Sequence, residues 1–352
     1  MKPSRSIRTG LLALAVVVIA AGCGCGKEKG RKQGMSAKGA MRSPPAAEMP
    51  AGMLYKCEDE LADIGFVIPA DGTPPRIGFA VGRNSTIIRT TDGGRTWRRT
   101  IPRQDKGDEF TAVFTSSAGE AWAVSLQRLL HSADGGLTWK PAVVLPGQFY
   151  HYGHAAVRPG IYYQMQPPTC GATVWHTADG AGWKRMPANT PRNDYGSICV
   201  LDDSHAWVVG NYGHMALTTD GGQTWRENNI PKGGNLAQVQ FVNQSEGWIR
   251  VSYGHEGRLW HSADGGQSWQ RQSLPIESFW TPVDMQFIDA QRGWMLIDAG
   301  KHGSQLLRTT DGGATWSIAH VYPRRAVALS MAGADHGWIA AVSGEIFECT
   351  GR

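Results

Sequence analysis

One eight-residue pattern, Ser/Thr-x-Asp-Gly-Gly-x-Ser/Thr-Trp, recurs along this chain and limits what it can fold into. Full copies occupy residues 90–97, 132–139, 218–225, 262–269 and 309–316, and a copy one residue shorter occupies 177–183. Their aspartates are Asp92, Asp134, Asp179, Asp220, Asp264 and Asp311, spaced 41 to 47 residues apart. A near-constant period in the forties means stacked repeats of one supersecondary unit. Gly-Gly between two strand-like runs supplies the positive φ angles of a tight turn. The aspartate accepts backbone N–H groups across that turn, and the preceding hydroxyl joins the same network. The tryptophan opens the returning strand, where its flat face can seal a seam against a neighbouring repeat.

A second element precedes each box. Phe79 and Trp122, Trp207, Trp248, Trp294 and Trp338 each follow a Gly or Ala and lead into small or branched residues, with a weaker copy at Gly160-Ile161-Tyr162-Tyr163. That makes seven such strands, one more than the boxes. Each unit reads as four short strands, which is the content of one blade of a β-propeller. The expected fold is all-β, a seven-bladed β-propeller over residues 53–352. The last unit stops where a box would begin, so it lacks an outer strand. Residues 53–57 are expected to supply that strand from the N-terminus and close the ring. Cys57 would then lie beside Cys349 as a candidate disulfide, and Cys170 and Cys199 form a second candidate pair; the alternative is buried thiols.

The N-terminus reads differently. Lys2, Arg5 and Arg8 precede an apolar run from Leu11 to Ala21, too short to span a bilayer, which takes about 20 residues. Residues 1–22 are read as a signal peptide. Ala20-Ala21-Gly22-Cys23 resembles a bacterial lipobox, which implies lipidation at Cys23. Residues 23–52, rich in Lys, Gly, Ser, Ala and Pro, are read as a disordered tether. Nine basic against two acidic residues give positions 1–50 a net +7. The whole chain carries +5, so residues 51–352 carry −2. The basic charge belongs to the leader and tether, which argues against nucleic-acid binding. The expected location is the bacterial cell envelope, with attachment to the membrane through the lipid.

Function in a propeller belongs to loops on a rigid frame. The box turns crowd one face. The opposite face gathers the loops before each inner strand and after each Gly-Trp strand. Its candidate binding residues are Tyr150, His151, His154, Arg192, Tyr195, Tyr212, His214, Tyr253, His255, Trp280, Arg324 and Arg325, with Arg103, Asp105, Lys106, Asp194, Glu256, Glu277 and Phe279 around them. Aromatic, His and Arg side chains are the types that anchor protein interfaces. His151 and His154 have the spacing of a metal pair, but no carboxylate or Cys joins them, so no metal and no cofactor are expected. His131, His176 and His261 share one repeat position on different blades.

The octet resembles the Asp-box, or BNR repeat, which is structural in families that carry it. Among those families, sialidases have six blades and an Arg-Ile-Pro signature. This chain has Arg76-Ile77-Gly78 instead. Xyloglucanase-type glycosidases use paired carboxylates across two propellers. Dense boxes alternating with Gly-Trp strands most resemble the photosystem II stability/assembly factor family and its bacterial relatives. That resemblance implies a monomeric, non-catalytic propeller binding an envelope protein, or else a glycan. The competing reading is a glycoside hydrolase with carboxylates drawn from Asp105, Asp194, Glu256 or Glu277.

Overall fold

In every repeat but the closing one the chain runs out from an inner strand to an outer strand and then crosses to the next inner strand. The computed structural model describes residues 52–350 except for 70, 105–106, 117–118, 126–127, 142–156, 159–160, 167–172, 178–183, 186–194, 231–233 and 254–258; for the remainder of 157–195, and for residue 253, it describes backbone only. After β1 (Met53–Lys56), the first sheet holds β2 (Leu61–Phe66), β3 (Gly78–Gly82), β4 (Thr86–Thr90) and β5 (Arg98–Arg99). The second holds β6 (Phe110–Thr115), β7 (Ala121–Ser125), β8 (Leu129–Ser132) and β9 (Lys140–Pro141). A backbone ladder follows: β10 (Val157–Arg158), β11 (Ile161–Gln166), β12 (Thr173–Thr177) and β13 (Lys184–Arg185). The next sheet is β14 (Tyr195–Val200), β15 (Ala206–Gly210), β16 (Met215–Thr218) and β17 (Arg226–Glu227). Then come β18 (Asn235–Phe241), β19 (Gly247–Tyr253), β20 (Leu259–Ser262) and β21 (Gln270–Gln272). They are followed by β22 (Thr281–Phe287), β23 (Gly293–Asp298), β24 (Ser304–Thr309) and β25 (Ser317–Tyr322). The closing sheet is β26 (Ala326–Met331), β27 (His336–Ala341) and β28 (Glu345–Thr350).

The expected seven blades are corrected to six. Inner strands pack consecutively, β14 on β18, β18 on β22, β22 on β26, β26 on β2 and β2 on β6, which joins six four-stranded sheets as blades. The ladder β10–β13 is a sheet by its strand pairing, but among the described residues no comparable packing ties it to a neighbour. Blade number therefore does not separate this chain from six-bladed enzymes.

Three devices hold the seams. The first is a bulge in each of the six packed inner strands, one residue after the start of β2, β6, β14 and β26 and two after that of β18 and β22. A bulge shifts which side chains face the neighbour. In four of them, β2, β14, β18 and β22, the residue beyond it points a polar group at the next blade. Asp63 accepts from Val113 N–H (2.8 Å), Ser197 from Val239 (3.2 Å), Gln238 from Met285 (3.0 Å) and Asp284 from Leu329 (2.8 Å). Two residues on, Cys199, Gln240, Gln286 and Ser330 repeat the bond to Phe241, Phe287, Met331 and Phe66. Inner strands of different blades share no ladder, so these side chains satisfy N–H groups that would otherwise be buried without partners.

The second device is aromatic. Trp207 stacks on Phe241 of the next blade (3.7 Å between centroids), Trp248 on Phe287 (3.7 Å) and Trp338 on Phe66 (3.4 Å). The box tryptophans Trp269, Trp316 and Trp97 meet the same Phe rings edge-on. The glycine of the Gly-Trp pair makes room for that ring. A Cβ on Gly247 would lie 2.4 Å from Phe241, and one on Gly293 2.4 Å from Phe287.

The third device is the box. Thr90 Oγ1 receives Gly94 N–H (2.9 Å) and donates to Asp92 (2.8 Å). Asp92 also accepts Thr96 N–H (2.9 Å) and Thr96 Oγ1 (2.6 Å). Asp134, Asp220, Asp264 and Asp311 repeat this arrangement; Asp179 lies outside the described residues. The hydroxyl and N–H of Thr224 hold Asp220 down to about 2. The first box glycine also serves the previous blade. Its carbonyl accepts the indole N–H of Trp207 (Gly265, 2.9 Å), Trp248 (Gly312, 2.8 Å) or Trp338 (Gly93, 3.1 Å).

The N-terminal strand β1 completes the closing sheet by pairing antiparallel with β28. That register rules out the expected Cys57–Cys349 disulfide. Lys56 lies opposite Glu345 and Cys57 N–H reaches Gly344 O, so Cys57 sits five positions along from Cys349. Five strand residues span about 16 Å, far beyond a disulfide's reach. Both thiols are free and buried, and so is Cys199, which caps Phe241 N–H; Cys170 lies outside the described residues.

Candidate functional site

Loops opposite the boxes are bonded to one another, three times within a sheet and once, at Ser85–Asp108, between blades. Val342 N–H reaches Arg325 O, Cys57 N–H reaches Gly344 O, Arg83 N–H reaches Glu60 O, and Ser85 N–H reaches Asp108 O. These bonds fix the loops that flank β26, β27, β2 and β3 and tie the β3–β4 turn to the entry of β6.

Its charged groups share a pattern. A carboxylate is sunk at the base of the loops, and arginines reach over it. Asp59 is held by Arg99 (2.5 Å), Arg103 (3.1 Å), Asn84 and Thr86. Asp108 is held by Arg128, Glu345 by Lys56 (3.0 Å) and Arg324 (3.5 Å), and Asp298 by Arg325 (2.9 Å). Burial pushes Asp59 up, but the bonds from Asn84, Arg103 and Thr86 outweigh it and keep it below the usual range. Glu345 is likewise lowered, its burial outweighed by Ser343 and Lys56. Asp59 and Glu345 therefore stay ionised and occupied, which suits positioning rather than general acid work. The carboxyls pushed upward are Asp63 and Asp284, the latter to about 7, both through burial in the seams between inner strands.

Tyr212 is the most exposed large apolar residue of the described chain, at 77%, and stands at the tip of the β15–β16 turn. Its φ of 58° is left-handed, which a non-glycine residue adopts only when its surroundings impose it. They do. Gly213 N–H bonds Gly234 O (2.7 Å), Ile230 N–H bonds Gly213 O (2.8 Å), and Met215 N–H bonds Asn229 Oδ1 (3.0 Å). His214 lies beside it, half-buried, with its ring 6.4 Å from that of Tyr212. Phe279 is 72% exposed, while its neighbour Trp280 packs down toward the Trp248–Phe287 cluster.

The expected residues thus fall into groups. Tyr212, His214, Trp280, Arg324 and Arg325 are described on this face, and Arg103 is tied to Asp59. Tyr195 and Tyr253 are described in backbone only. Tyr150, His151, His154, Arg192 and His255 lie outside the described residues, as do Asp105, Asp194 and Glu256 of the hydrolase reading. Glu277 is exposed. The sunken carboxylates Asp59, Asp108, Asp298 and Glu345 escape the sequence reading, because nothing local distinguishes a loop acid that faces inward from one that faces water.

Fold and face together define a box-repeat propeller whose loop face is distinct from its box face. A family model, photosynthesis system II assembly factor YCF48, matches residues 52–152 and 175–277, more than half of the chain. The chain belongs to this family. It is 29% identical over 260 residues to the photosystem II assembly lipoprotein Ycf48 of Synechococcus sp. (strain CC9902), covering 69% of this chain and 72% of that protein. It is 24% identical over 286 residues to the chloroplastic photosystem II stability/assembly factor HCF136 of Arabidopsis thaliana, covering 73% and 67%. A solved structure, YCF48 bound to D1 peptide, superposes with a TM-score of 0.64 at 20% identity, covering 86% of this chain and 99% of that one. Its relatives are named as assembly factors, and this chain is a non-enzymatic member of their family.

Proposed function

We propose that this chain is an assembly factor that holds a segment of a membrane protein on its loop face while its lipidated Cys23 tethers it to the bacterial envelope. One contrast carries the reading. On the box face, aspartates and hydroxyls are bonded within their own turns. On the other face, Tyr212 and Phe279 stand out from bonded loops, and arginines are braced by sunken carboxylates. A rigid surface with exposed aromatic and guanidinium groups binds without a large ordering cost. Support for a peptide-like ligand comes from the relative solved with D1 peptide, and support for the lipid from the relative named a lipoprotein. In this chain the partner is a protein segment, and Tyr212, His214, Phe279, Trp280, Arg324 and Arg325 contact it.

Pull-down from detergent-solubilised envelopes tests this. The full chain should retain one membrane protein that is lost with Tyr212→Ala plus Arg325→Glu and kept with Asp264→Asn on the box face. Retention unchanged by the face variant, or lost with the box variant, rejects the assignment.

A further inference from the structure

The outer strands of the blades are not alike. β5, β9, β13 and β17 have two residues each, β21 has three and β1 has four, and every one of them carries a Lys or Arg. Short, charged edges are how sheets avoid pairing with strangers. β25 breaks the rule. It runs six residues, Ser-Ile-Ala-His-Val-Tyr, with no Lys, Arg, Asp or Glu. It ends its sheet, bonded to β24 on one side, and no described strand covers the other. Ile318 is 56% exposed and Val321 60%.

A bulge adds the decisive geometry. Leu307 lies opposite Ile318 and Leu306 opposite His320, so Ala319 is the extra residue. One extra residue changes the alternation and brings Ile318 and Val321, three apart, onto the same side. An edge with two apolar groups on one side is self-complementary under a two-fold axis. Antiparallel pairing centred between Ala319 and His320 sets each Ile318 against the Val321 of the other strand. Arg324, just beyond one end of β25, then lies toward the other copy's box, where Asp311 is exposed.

We propose that β25 pairs edge to edge with β25 of a second copy of this chain, giving a reversible two-fold dimer. Aliphatic cross-strand pairs stabilise such a ladder, and no like charges oppose it. The pairing buries less than the roughly 800 Å² per partner of a typical stable interface, so the dimer dissociates on dilution.

Sedimentation equilibrium of the full chain in density-matched detergent tests the proposal. A monomer–dimer equilibrium is expected, weakened at least roughly tenfold by Ile318→Lys and, separately, by Val321→Lys. Both positions face solvent, and unchanged thermal melting certifies each variant as folded. A mixture of Ile318→Cys and Val321→Cys chains should form an inter-chain disulfide on oxidation. A wild-type chain that stays monomeric at all concentrations overturns the proposal, as does a dimer that both lysine variants leave intact.

Discussion

Trp248 and Trp294 occupy the same position in successive blades, both almost wholly buried, yet only one has a hydrogen-bond acceptor. Trp248 Nε1 donates to the box carbonyl of Gly312 at 2.8 Å. The blade after Trp294 contains no box, and Trp294 Nε1 is buried without a partner among the described residues. Replacing either indole by a phenyl ring removes roughly 40 Å² of buried apolar surface, or about 1 kcal/mol. Trp248→Phe also breaks a hydrogen bond and strands a buried carbonyl, costing about 1–3 kcal/mol more. It should therefore lose about 2–4 kcal/mol. Trp294→Phe removes a donor that bonds to nothing, which offsets its packing loss, so it should lose no more than about 1 kcal/mol. Its contact with Arg308, 5.2 Å from the ring, adds only a few tenths. Urea unfolding of both variants measures the difference. Equal losses, or a larger loss at Trp294, would refute the idea that the box carbonyl binds each blade to the one before it.

Other outcomes follow from the same contacts. Thr90→Val leaves the buried Gly94 N–H without its acceptor and should lower unfolding stability by about 1–2 kcal/mol. Gly247→Ala drives a methyl into Phe241 and should cost about 1–3 kcal/mol, with near-ultraviolet dichroism showing the disturbed Trp207 stack. Burial raises Asp284 to about 7, against the bonds from Leu329 and Gln238 and the charge of Arg250. A raised folded pKa gives stability that is fully present below the unfolded value near 4 and lost as pH climbs through 7. The urea midpoint should accordingly fall between pH 5 and pH 8, and Asp284→Asn should flatten that fall. Reducing agent should leave the melting temperature unchanged, since Cys57, Cys199 and Cys349 are thiols.

The box period and the Gly-Trp pairs were readable in the sequence because each is a local signal. Two glycines at positive φ and an aspartate within four residues of its donors need no tertiary context. The strand borrowed from the N-terminus was readable too, from the missing outer strand after residue 350. The seams were not. Asp63, Gln238 and Asp284 look like surface residues in an alternating strand; a bulge, invisible in sequence, turns them inward. The disulfide expectation failed on register, a property of strand pairing rather than composition. Counting Gly-Trp strands gave seven units, but a count of strands does not establish packing, and six blades are joined. On the loop face, Tyr212 and Arg325 could be placed by topology. The carboxylates that fix the arginines could not, since Asp59 meets Arg99 and Arg103 across some forty residues of chain.

The claim that partner binding belongs to the loop face is tested most directly by photocrosslinking in cells. A photoreactive residue replaces Tyr212 on that face or Leu137 in a box turn, both strongly exposed. The predicted result is a discrete crosslink to a membrane protein from position 212 and none from position 137. A crosslink from position 137 alone would contradict it.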